Sequence, residues 1–159
     1  MKKEEQARFL IQSLLEDMPE YSGMEMPEGE AEQWRFLRSL MNVRPPRPVS
    51  QSFLEVQNAY LSEMVKQRGI VDCHSLTPSK PDGRIFLWQG DITRLKADAV
   101  VNAANSALLG CFLPCHTCID NMIHSLAGVQ LRLECNEIMR RQGHEEPTGA
   151  AKITPGYNL

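Results

Sequence analysis

Three thiols and one imidazole fall within eight residues in the segment GCFLPCHTCID (110–120), as Cys111, Cys115, His116 and Cys118. Thiolate sulfur and imidazole nitrogen are the ligand atoms zinc takes. The spacing is not that of a zinc finger, which needs two separated pairs. A closed site built from one short loop is sterically awkward. Three ligands with an open position are easier to arrange, and open positions belong to catalytic zinc. Two other chemistries fit the same residues. Cys115-His-Thr-Cys118 has the spacing of a redox pair, without the strand that precedes one in thioredoxin-type folds. A loop with incidental buried thiols needs no ion at all.

A second group lies just upstream. The apolar run Val100-Val101 ends in Asn102 and Asn105, three residues apart. Ligands of open α/β sheets bind outside the carboxyl ends of strands, and an amide offers them donors and an acceptor. Asparagine is equally a turn residue. Asp91, in the segment QGDIT (89–93), also follows an apolar run. It suits a ligand amine or a helix cap, and its position alone favours the cap. His124 follows Asp120 by four residues, which puts both on one side of a helix. Packing is the expected role of that histidine. Cys135 falls on an apolar helix face and reads as core. Cys73 has no partner in view, and His144 sits in a polar loop.

These residues need elements to hold them. The spacing predicts a helix over 2–18, with Phe9, Leu10, Leu14, Leu15 and Met18 on one face. A second helix is predicted over 29–42, through Trp34, Leu37, Leu40 and Met41, and is stopped by the prolines at 45, 46 and 48. A third opens at a Ser52/Glu55 capping box and runs to about Gln67. After the turn signal Pro81-Asp82-Gly83 the pattern changes. Short apolar runs at 85–88, 97–103 and 150–154 suit buried strands, and 119–142 shows helical spacing up to Gly143. The expected class is α/β: a helical region over 1–75, then a mostly parallel sheet with flanking helices over 76–159.

Composition narrows the function. The 159 residues are 42% hydrophobic and 23% charged, with a net charge of −3. That is globular, and no basic field draws the chain to nucleic acid or anionic lipid. No apolar run is long enough to span a bilayer, and the start, MKKEEQARFLIQ, lacks the apolar core of a secretory signal. The chain therefore reads as cytoplasmic, and in that reducing setting five cysteines, an odd number, argue against a disulfide framework.

GDIT (90–93), VVNAANS (100–106) and GCFLPCHTCIDNMIH (110–124) together resemble the zinc-dependent macrodomain family of microbial protein-ADP-ribose hydrolases. The resemblance runs over residues 84–159, and the helical front agrees with the family's layout. GDIT with NAAN points to macrodomains in general. The cysteine loop points to the zinc branch, where it replaces a glycine-rich loop. The resemblance implies that Cys111, His116 and Cys118 hold one zinc ion. It implies that Asp91 takes the adenine amine with Ile92 beside it, and that Asn105 holds the distal ribose. Ile119 and Asp120 would lie against the diphosphate and distal ribose, with Asp120 positioning the water. Cys115 occupies a variable position and is not assigned to the metal.

The implied partner is ADP-ribose or a mono-ADP-ribosylated protein, and the implied reaction is hydrolysis of that modification. Two other functions share Asp91 and Asn105: an ADP-ribose-binding module without turnover, and an inactive remnant. The resemblance also implies more chain after Leu159, with further strands and a second glycine-rich loop over the diphosphate. By this reading the macrodomain is incomplete. A sheet with bare edges would leave self-association open.

Overall fold

The computed structural model describes residues 1–159. Its elements run α1 (Lys3–Asp17), α2 (Glu30–Val43), α3 (Gln51–Arg68), β1 (Val71–Asp72), β2 (Leu95–Lys96), α4 (Ile119–Ala127) and α5 (Val129–Gln142). Short 3-10 turns occupy Pro19–Tyr21, Cys73–Ser75 and Ile92–Arg94.

The front helices form where apolar spacing predicts them. Leu10, Leu14, Met18, Leu37, Leu40, Phe53, Tyr60 and Leu61 are buried together in one core. Leu126 of α4 and Val129 of α5 belong to that same core, so the back of the chain closes the front. A smaller cluster of Ile123, Ala127, Leu131 and Cys135 packs on the other side of α4 and α5, against Ile92, Leu108, Leu109 and Ile119. Cys135 is therefore core, and burial pushes its thiol up to about 11.

Two local expectations are corrected. α3 is capped by Ser50, whose hydroxyl accepts from the Phe53 N–H at 3.1 Å, and not by Ser52. The chain stays extended through Ser50, so the helix starts two residues earlier, and Glu55 pairs with Gln51 instead. The helical stretch at 119–142 is two helices, because Gly128 breaks it at φ +100°. A Cβ there would also lie 2.6 Å from the Gln57 amide of α3, and the positive φ itself favours glycine.

The sheet differs most from expectation. β1 and β2 pair in parallel over two residues each, Val71 with Leu95 and Asp72 with Lys96. The segments 85–88, 97–103 and 150–154 are not strands; the first contributes one isolated bridge, Phe86 to Pro78. An apolar run becomes a strand only beside another strand edge, and these runs have none next to them. Leu87, Val101 and Ile153 are 92%, 91% and 92% exposed as a result. The class is α/β, with helices supplying nearly all the packing.

Candidate metal centre and its surroundings

The loop from Gly110 to Cys118 ends at the N-terminus of α4, where Cys118 is the cap. Its sulfur accepts the Asn121 N–H at 3.4 Å. Cys111, His116 and Cys118 each present a ligand atom, and these atoms lie within 4.8 Å of one another. Two thiols and an imidazole at that separation fit a tetrahedral ion with its fourth position open. The group can bind a metal. Burial pushes the Cys118 thiol up, and the Cys111 thiol beside it adds to the shift. A bound cation reverses that preference by favouring thiolate.

Cys115 is turned away. Its backbone lies in the left-handed region at φ +52°, and its thiol faces the Arg35 carbonyl at 3.2 Å. The loop is fastened to the front of the molecule. Asn42 of α2 accepts the Cys115 N–H at 2.9 Å. Arg38 of α2 donates to the His116 carbonyl and to the Asn121 side chain, both at 2.6 Å. Arg132 of α5 donates to the Leu109 carbonyl at 2.7 Å and to the carbonyls of Met41, Asn42 and Arg44 at the end of α2. Its guanidinium also lies 4.2 Å from the Phe112 ring centroid. Desolvation pulls the Arg132 pKa down to about 10.

Asp120 sits in the first turn of α4 and is buried. Asn102 donates to its Oδ1 at 2.8 Å. The Nε2 of His124, one turn on, lies 3.5 Å from the same oxygen. Burial holds His124 far below its ordinary value, at about 4, so the ring is neutral near pH 7. Two buried atoms of this trio have no protein partner, the Asn102 Oδ1 and the His124 Nδ1. Gly110 makes room for the ring, since a Cβ there would come within 2.7 Å of it.

Asn105 is exposed and closes a local turn. Its Oδ1 accepts the Ala107 N–H at 3.1 Å, and its amide donates to the Gly110 carbonyl at 3.4 Å. Asp91 caps the turn at Ile92–Arg94, accepting from the Thr93 N–H at 3.0 Å and the Thr93 hydroxyl at 2.6 Å. Its second oxygen pairs with Arg68 at the end of α3. Ile92 and Ile119 pack on the same small cluster, which places the Asp91 turn beside α4. The structure thus joins the three candidate ligands with Asp120, and sets Asp91 and Asn105 on separate turns around them.

Residues 101–159 match the Macro domain family. Across 161 aligned positions the chain is 54% identical to a protein-ADP-ribose hydrolase of Treponema medium, covering 100% of this chain and 62% of that protein. Residues 101–159 thus carry a Macro domain match within a chain that aligns along its whole length with this relative. It is also 50% identical over 151 residues to a protein-ADP-ribose hydrolase of Staphylococcus aureus (strain MRSA252), covering 95% of this chain and 56% of that protein. The chain therefore spans about 62% and 56% of the lengths of these two relatives. Both alignments reach well into the helical front, beyond the residues of the family match itself.

Arg38, Asn42, Asn121, Arg68 and Arg132 escape a reading of motifs. Asn121 alone carries a signal, since it directly follows Asp120. The arginines stand on helix faces, where spacing says only that they point away from the apolar stripe.

Proposed function

We propose that this protein takes part in hydrolytic removal of mono-ADP-ribose from protein side chains, with zinc held by Cys111, His116 and Cys118. The observation that carries this reading is the junction of the metal-ligand loop with Asp120 at one helix N-terminus. A module that only bound ADP-ribose would need no open metal position. The names of the two relatives add support.

When bound, the ion supplies Lewis acidity beside the distal ribose. The protein's own groups do the rest. The first turn of α4 offers backbone N–H groups of Ile119 and Asp120 to the diphosphate charge. Asp91 receives the adenine amine, and Ile92 lies against the base. Asn105 hydrogen-bonds the distal ribose. Asn102 holds the Oδ1 of Asp120, with His124 packed beside it, which leaves its Oδ2 to orient a water. That water attacks the anomeric carbon, the bond to the protein side chain breaks, and the proton lost by the water goes to the departing side chain. Charge spreads over the ribose ring in an oxocarbenium-like transition state. The carboxylate stabilises that charge while fixing the water.

The setting fits a reducing compartment, the cytoplasm, since all five thiols are free. No helix is long and apolar enough to cross a membrane.

The test is release of free ADP-ribose from a mono-ADP-ribosylated protein by the zinc-loaded chain, with a chelated control. Release that stops on chelation is expected. Release unaffected by chelation would remove zinc from the reaction. Absence of release, with ADP-ribose still bound, would make the chain a binding module.

A further inference from the structure

Three side chains lie between the metal-ligand loop and the helical front, and two of them reach every candidate ligand. Asn121 is fully buried. Its amide donates to the Cys111 carbonyl at 3.3 Å and the Leu113 carbonyl at 2.9 Å. Its backbone N–H meets the Cys118 sulfur at 3.4 Å. The remaining ligand, His116, is held through its carbonyl by Arg38 at 2.6 Å. Arg38 also fixes Asn121 itself, donating to its Oδ1 from both Nη2 and Nε, at 2.6 and 3.2 Å. A planar fork gripping one oxygen from two nitrogens sets the orientation of the amide, and hence which way its NH2 faces. The third side chain, Asn42, holds the middle of the loop at Cys115 and donates to Ser125 at 3.0 Å.

We propose that Arg38, reaching from α2 and acting through Asn121, is the positioning residue that sets how tightly the Cys111, His116 and Cys118 loop holds its ion. The proposal rests on the metal reading above. It assigns the helical front a task at the centre, although none of its residues is a ligand. A loop of eight residues has many conformations, and three ligands converge only in a few of them. Holding the loop in that subset before the ion arrives raises affinity without adding a ligand. Groups that orient ligands from outside the coordination sphere typically change metal affinity about 10- to 100-fold when removed.

The experiment titrates the 159-residue chain with Zn2+ in competition with a chromophoric chelator, and with Co2+ read by its thiolate charge-transfer band. Arg38→Ala is expected to weaken Zn2+ about 10- to 100-fold and to shift or broaden the Co2+ band. Arg38→Lys is expected to recover only part of the affinity, since an ammonium cannot grip the amide as a fork. Arg8→Ala, an exposed arginine on α1, should leave both readouts unchanged. Wild-type affinity and an unaltered band in Arg38→Ala would overturn the proposal, provided Cys111→Ser loses the ion. If Cys111→Ser also binds as the wild type does, the metal reading itself is wrong and the proposal falls with it. Should Arg38→Ala fail to fold, Arg38→Lys carries the test. Wild-type affinity and an unaltered band in it overturn the proposal, and weakened binding in folded protein supports it.

Discussion

The Nε2 of His124 lies 3.5 Å from the Oδ1 of Asp120, one turn apart on α4 and both buried. Two side chains at this spacing on a helix face each other whether or not they share a task. Here Asn102 donates to the same oxygen, so the carboxylate is held by the amide with the neutral ring packed beside it.

Acid should destabilise the fold through His124. Its folded value, about 4, lies below the ordinary 6.5, so the unfolded chain takes up the proton first. Stability is then flat above about pH 6.5 and falls as pH drops from there toward 4, by up to about 3 kcal/mol. Urea unfolding at several pH values measures this. His124→Gln should flatten the slope across that window, and an unchanged slope would assign the acid sensitivity to other groups.

Asp120→Asn should remove turnover and spare binding. Loss of the oriented water is expected to slow release of ADP-ribose by about 10²- to 10⁴-fold. Affinity for free ADP-ribose, measured by calorimetry, should stay within a few fold. Wild-type turnover would take Asp120 out of the chemistry.

Cys118→Ala should lose metal and turnover together. Metal content after dialysis and release of ADP-ribose are the paired measurements. Turnover that survives in metal-free protein contradicts the role given to the loop.

Asp91→Ala should weaken nucleotide binding more than it slows the reaction. The same change frees Arg68 and uncaps the Ile92–Arg94 turn, so a stability loss of about 1 kcal/mol is expected as well. A stability loss with unaltered affinity would leave Asp91 as a cap and nothing more.

Gly110→Ala should be damaging out of proportion to one methyl group. The position has φ +79°, and its Cβ would meet the His124 ring at 2.7 Å. A cost of about 1–3 kcal/mol is expected from the backbone alone. Thermal unfolding of the variant gives the number, and a neutral result would mean that the backbone leaves the left-handed region and the ring moves aside.

Much of this was legible in the sequence. Helical spacing placed α1, α2 and α3 within a residue or two, because each buries a continuous apolar face. The cluster Cys111, His116 and Cys118 was readable because its ligands are close in the chain, so proximity in space needed little from the fold. The strands were not, because β pairing depends on a neighbour that no local pattern specifies. The break at Gly128 was hidden within apolar spacing that continues in phase on either side. Arg38 and Asn121 were hidden for the opposite reason. Their contacts join segments about 80 residues apart, and neither residue type announces its partner.

The distance along the chain between those partners orders events during folding. The first three helices and the α1 cap residue Met18 hold 14 of the 16 residues of the main core. Leu126 and Val129, far along the chain, complete that core. The link from Arg38 to His116 spans 78 residues, and its loop-closure entropy is met only once α4 docks. The ligand loop is therefore expected among the final parts to take shape. An ion that arrived earlier would meet two thiols and an imidazole on a flexible chain, with none of the contacts that orient them.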